Sequence, residues 1–358
     1  MSGALAEVFP VGEILSDELV SRGWTQADFA EILDRPAQFV SEIISGKKEV
    51  TRESATQIAA ALGTSPELWL NLQNAYHLWR HAQDRGKQES LIDVRLRARL
   101  KELAPIGVLK QRGILTGSTP REQEAELKRL YRIDDIFDDP EVLVAARRSK
   151  DDQIVSSTQL AWVVCVRQKA ETLKVGPYNQ RRLKILAAQL TRIVDGPAAI
   201  NDLPARFAEV GVRLVFVEAF PSSKMDGCSF LLDNGSPVIG LSGRGQRLDK
   251  VLFTLLHEVA HVLLDHLDGH RYIIDDKGES PTLGSEDDAD ALAASWVFPQ
   301  ALPKVPQRLG FDWVTVVASQ QGIHPIVVIG HLQNQGKIPW KTVLVRNAPA
   351  VTAQLQKW

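Results

Sequence analysis

Apolar residues recur three and four positions apart along most of this chain, the spacing of one helix face. That spacing predicts helices over 25–33 and 36–44, where Phe29, Ile32, Leu33, Phe39, Val40, Ile43 and Ile44 form the apolar stripe. It continues, with charged faces, over 91–103, 123–131, 159–174 and 181–194. It returns at 251–264, then from Ser285 to a stop at Pro299, and finally at 314–321 and 325–335 with a turn at Gly322. Only 211–217 and 236–241 read as strands, from β-branched content and turn residues at their ends. The expected fold is mainly α with a small β-sheet. It divides into an all-α domain over 1–82, a helical connecting domain over 83–202, an α+β domain over 203–300 and a helical extension over 301–358.

The first of these has the layout of a DNA reader. Thr25 is placed to cap a helix, with Asp28 as its box partner. A short turn through Asp34 and Arg35 reaches Pro36, suited to a helix's first position, and the next helix ends at Gly46. Helix, short turn, helix is the helix-turn-helix arrangement, whose second helix enters the major groove. Gln38, Ser41 and Glu42 then occupy the face expected to contact bases, and Lys47, Lys48 and Arg52 suit phosphates. Charge argues in the other direction. Residues 1–85 hold seven Lys and Arg against twelve Asp and Glu, a balance of −5. Phosphate attraction drives affinity, so binding requires the basic residues to converge, helped by Arg95, Arg97, Arg99 and Lys101. The alternative is a module kept for dimerisation or protein binding.

The chemistry lies near residue 257. His257-Glu258-Val259-Ala260-His261 is H-E-x-x-H inside an otherwise apolar helix. Residues four apart share a helix face, so both imidazoles can close on one metal ion while Glu258 addresses a water beside it. Burying two imidazoles and a carboxylate unpaired would be costly, and a metal removes most of that cost. A zinc site of this type takes a third protein ligand and keeps a fourth position open. Glu286 can supply it, with Asp290 four residues on accepting a proton from a ligand imidazole. Asp287 and Asp288 are rivals for the ligand, and helix capping by Ser285 accounts for the same acidic run.

Two resemblances rest on these residues. Phe253-Thr254-Leu255-Leu256-His257-Glu258-Val259-Ala260-His261, followed by Glu286-Asp287-Asp288-Ala289-Asp290-Ala291-Leu292-Ala293 and a nearby proline, resembles the ImmA/IrrE metallo-endopeptidases over roughly 204–299. The chain departs from that pattern with Asp290 where Asn is common and Leu292 where Phe is common. The resemblance implies a zinc-dependent, zincin-like peptidase with His257, His261 and Glu286 as ligands and Glu258 as the acid–base residue. It also implies a strand beside the cleft that pairs with extended substrate. Arg22-Gly23-Trp24-Thr25-Gln26, Ile44-Ser45-Gly46-Lys47-Lys48, Ala61-Leu62-Gly63-Thr64-Ser65 and Leu68-Trp69-Leu70-Asn71-Leu72-Gln73 resemble the HigA-type antitoxins of the XRE helix-turn-helix group. That likeness implies a homodimer on a palindromic operator.

Composition changes this picture little. The 358 residues carry a net charge of −2, so there is no overall basic coat for nucleic acid. No apolar run approaches the length of a membrane helix, and the first seven residues lack the features of a signal peptide. Two cysteines, Cys165 and Cys228, make no disulfide framework. A bacterial-style cytoplasmic protein is expected. Cys228 raises a separate idea: ahead of the strand at 236–241, its thiolate could fill the open metal position and hold the enzyme latent. An inert buried cysteine is the alternative. His266, His270 and Tyr272 are candidates to stabilise an oxyanion, or surface residues.

Together these readings predict a transcriptional regulator fused to a zinc endopeptidase that cleaves a helix-turn-helix repressor, itself or a partner, and so derepresses genes. The competing expectation is an antitoxin-like DNA-binding protein whose metal site is structural or sensory. Glu258 favours the first, because a structural site has no use for a base there. The substrate, the operator, the trigger and any toxin partner are not written in the chain.

Overall fold

The computed structural model describes residues 8–140, 155–267, 273–276, 285–298 and 300–358. It divides into two compact units, Met1–Leu96 and Arg97–Trp358, with the boundary inside one helix. The expectation of a mainly helical fold with a small sheet holds. Among the described residues no helix is long and apolar enough to cross a membrane.

The N-terminal unit is built from α1 (Val11–Ser21), α2 (Gln26–Ile32), α3 (Ala37–Ile44), α4 (Arg52–Leu62) and α5 (Pro66–Gln83), followed by α6 (Arg85–Leu103). Thr25 and Asp28 form the expected capping box, with the Asp28 amide donating to Thr25 Oγ1 at 3.1 Å. Pro36 is the N-cap of α3, one position earlier than expected. Asp34 takes a left-handed φ of 52° in the intervening turn, a conformation that short polar side chains tolerate. Leu15, Phe29, Ile43, Ile58 and Trp69 are fully buried together. Gly12 lets α1 close on the end of α3: a Cβ there would lie 2.3 Å from the Ile44 carbonyl oxygen.

The second unit starts with α7 (Ile106–Gln111) and α8 (Pro120–Tyr131). A long helix α9 (Ser157–Glu171) and two short ones, α10 (Gln180–Ala187) and α11 (Leu190–Ile193), come next; α12 (Leu203–Glu209) leads into the sheet. The strands are β1 (Arg213–Phe216), β2 (Met225–Leu231), β3 (Pro237–Leu241) and β4 (Ile273–Asp276), in spatial order β1-β3-β2-β4. β1 runs parallel to β3, while β2 is antiparallel to both its neighbours. Every residue of β3 is buried. Its sequence, Pro-Val-Ile-Gly-Leu, does not alternate, as befits a strand covered on both faces.

α13 (Leu248–Leu263) packs against β2 and β3, and α9 packs against β1 and β3. Residues 160–166 of α9 are all buried, and Trp162 Nε1 donates to the Val217 carbonyl at 2.8 Å. This helix falls within the span expected to connect the domains, yet its seven apolar residues in a row cover the sheet. At Gly240 a Cβ would lie 2.6 Å from Val166, so only glycine admits so close an α9. β2 and β4 were not predicted as strands. The strand at 237–241, expected to flank a cleft, is paired on both edges and cannot accept an added strand.

The remaining helices are α14 (Ser285–Val297), α15 (Phe311–Gln321), α16 (Pro325–Asn334) and α17 (Thr352–Leu355). All four contribute to the same apolar core as α13, through residues such as Ala293, Val314, Ile329 and Leu355.

Candidate metal centre

α13 is buried almost all round, and this makes its polar residues informative: Glu258 and His261 are both 0 % exposed. α14 lies alongside it. Ala289 and Ala293, four apart and fully buried, give α14 the small face that close helix contact requires. Glu286 and Asp290 share an adjacent stripe and are carried to the two rings by that contact.

The geometry is compact. His257 Nε2 and His261 Nε2 lie 2.9 Å apart, and Glu286 Oε2 is 3.2 Å from the first and 3.6 Å from the second. Among the described residues these three form the one group whose donor atoms could hold a metal ion. Tetrahedral zinc with bonds of about 2.0–2.2 Å needs donors about 3.4 Å apart, so the cluster fits. Asp287 and Asp288 are exposed and outside it.

The outer ring nitrogens are also engaged. His257 Nδ1 lies 2.8 Å from Asp290 Oδ1, and His261 Nδ1 lies 3.0 Å from His266 Nδ1. With Nδ1–H donated outward, each Nε2 keeps its lone pair facing Glu286. Burial pushes the Glu286 carboxyl up, but His257 and His261 outweigh it and hold the group below the ordinary carboxylate range. Burial, then the neighbouring His261, lowers the His266 pKa against the pull of Asp288, Glu286 and Asp265. Its neutral form, which has a lone pair to accept with, is thereby favoured.

Glu258 points to β2. A Cβ on Gly227 would lie 2.5 Å from Glu258 Oε1 and 3.0 Å from Thr254 Cγ2. Gly227 also sits where the β2–β4 register shifts. The signal for it was present in Met225-Asp226-Gly227-Cys228, a glycine within a strand, which often marks a bulge or a close approach. Cys228 lies within β2, outside the donor cluster. Burial and the Glu258 carboxylate push its thiol well above the usual range, which disfavours the thiolate that would ligate a metal. The latch is therefore not supported by the geometry. His266 is at the centre, as a partner of His261. His270, Tyr272 and Pro299 lie outside the described residues.

In the N-terminal unit Gln38, Ser41, Lys47, Lys48 and Arg52 are exposed, and Glu42 is partly so. Gln38 Nε2 donates to Glu42 Oε1 at 2.8 Å, and Lys48 Nζ is 3.9 Å from Glu42 Oε2. The acid on this face is thus partly neutralised by its own neighbours. Arg99, grouped with the phosphate-seeking cations on sequence, is instead held by the carbonyls of Ile136 and Asp138 at 2.9 and 2.8 Å.

Comparison with known proteins places two segments of the chain. A helix-turn-helix family model matches residues 15–69, and the model of the IrrE N-terminal-like domain, a peptidase family, matches 210–314. An uncharacterised helix-turn-helix-type transcriptional regulator of Haemophilus influenzae is 36% identical over 86 residues, covering 24% of this chain and 80% of that protein. The chain belongs to the helix-turn-helix regulators and carries an IrrE-like peptidase domain. The antitoxin HigA-1 of Vibrio cholerae is 41% identical to the regulator over 19% of this chain and 66% of its own. A Pseudomonas aeruginosa protein crystallised with its operator DNA is 28% identical, covering 24% of the regulator and 92% of that chain, with a TM-score of 0.22. The centre around His257 falls inside the IrrE-like match, and α16 and α17 lie beyond it.

Proposed function

We propose that this regulator binds operator DNA through its N-terminal unit and cleaves a helix-turn-helix repressor, itself or a partner, through its second unit. The observation that carries the peptidase half is the convergence of His257, His261 and Glu286 on one point, with Glu258 on the same helix. Those three residues would hold zinc. When bound, zinc supplies Lewis acidity to a water and to the scissile carbonyl. Glu258 takes the proton of the attacking water and returns it to the leaving amine, first base and then acid. Asp290 and His266 fix the tautomers and orientations of the two ligand rings. Gln38, Ser41 and Glu42 contact bases, while Lys47, Lys48 and Arg52 anchor phosphates, on a homodimer. Cleavage would separate the DNA reader from whatever it represses.

The test uses the full chain and Glu258→Gln, each incubated with zinc alone and with a candidate repressor. Fragments that appear with the native chain only support the proposal; equal fragmentation in both removes the catalytic assignment. A second reading, an antitoxin-like regulator with a structural or sensing metal and no proteolysis, draws on the full burial of Glu258. Zinc binding without fragments from either chain selects it.

A further inference from the structure

A cavity of about 430 Å³ lies in the second unit between the first half of α13 and α16. That volume falls within the range of small-molecule sites, roughly 300–1,000 Å³. Its floor is apolar: Leu252, Leu256, Val297 and Val327 are buried residues that line it. Its lining also carries charged residues. Asp249 receives both Arg247 Nε and Nη2, at 2.9 and 2.6 Å, and Asp226 faces Arg244 at 3.4 Å. Lys250 differs from these: its ammonium stands 5.2 Å from the Trp340 ring centroid and, among the described residues, has no carboxylate within ion-pair distance. An aliphatic floor below one uncompensated cation and an aromatic ring is complementary to an amphipathic monoanion.

We infer that this cavity is an effector site for small organic acids with an apolar body and one carboxylate, such as medium-chain fatty acids. The carboxylate pairs with Lys250, and the chain lies over Leu252, Leu256 and Val327. The site also has a physical connection to the metal centre. Thr254 lines the cavity, and both Thr254 and Glu258 fill the space that a Cβ on Gly227 would take. A ligand against Thr254 therefore acts on the residue four positions before Glu258 on the same helix. The α16 wall and Trp340 lie beyond the residues matched by the IrrE-like family, so one side of the site comes from this chain's own extension and the rest from the matched domain.

Binding is independent of proteolysis and is measured by calorimetry on the full chain carrying Glu258→Gln, without metal, using decanoate and uncharged decanol as probes. The expected result is one decanoate per chain, with decanol binding more weakly. Lys250→Gln, at an exposed position, should weaken decanoate roughly tenfold through loss of a charge-assisted contact. Val327→Phe should fill the floor and abolish binding. Absence of saturable binding, equal affinity for decanol, or indifference to both variants overturns the inference. Because the variant chain lacks Glu258, none of these outcomes depends on the peptidase reading.

Discussion

The Nδ1 atoms of His261 and His266 lie 3.0 Å apart, five residues from one another, across the end of α13. An imidazole that holds a metal usually donates this proton to a carboxylate, a carbonyl or water; here the partner is a second imidazole. Its removal should loosen the ring and lower zinc affinity about 10–100-fold. Chelator competition on His266→Ala measures this, and His266→Asn, which restores an acceptor, should recover part of the loss. Unchanged affinity in His266→Ala would mean the pair orients nothing.

Gly227 provides a separate test of the Glu258 position. Gly227→Ala puts a methyl 2.5 Å from Glu258 Oε1, against a buried side chain that has little room to yield. Overpacking of this kind costs about 1–3 kcal/mol. Urea unfolding should register that loss, and proteolysis should fall further than stability alone explains. A variant with native stability and native cleavage would show that Glu258 has another place to go.

Acid stability should reveal the capping box of α8. The amides of Thr119 and Ser118 donate to Glu122 at 2.9 and 2.8 Å, and the Ser118 hydroxyl does so at 2.9 Å. The Thr119 backbone contact, then Ser118, lowers the Glu122 pKa from 4.5 to about 2. The folded value is the lower one, so this contribution is fully present above pH 4.5 and is lost as pH falls toward 2. Glu122→Gln should remove this component from a melting-temperature series taken between those limits. The same slope in both proteins would assign the acid loss to other carboxylates.

DNA binding is separable into position and specificity. Lys47→Ala with Lys48→Ala should weaken binding on every sequence and reduce the salt-dependence slope by about two. Gln38→Ala should instead change preference among operators, by about 1–3 kcal/mol at the affected base pair. Gel shifts across a salt series separate the two effects. No shift on the gene's own upstream region with the native chain would leave the N-terminal unit as a dimerisation platform.

Much of this molecule was legible in short-range spacing. The helix-turn-helix layout, the Thr25–Asp28 cap and the shared faces of His257 with His261 and Glu286 with Asp290 depend on residues three or four apart. Helix geometry alone relates such residues. What lay beyond that range was decided by tertiary packing. Only the approach of α14 through Ala289 and Ala293 separates Glu286 from Asp287 and Asp288 as the acid beside the two rings. The sheet had to be assembled before Gly227 met Glu258, and before the apolar run of α9 had a face to cover. The cavity at Lys250 is closed by a helix some eighty residues later in the chain, which no local pattern links to α13. Periodicity records which side of an element is buried, and long-range contact determines what it is buried against.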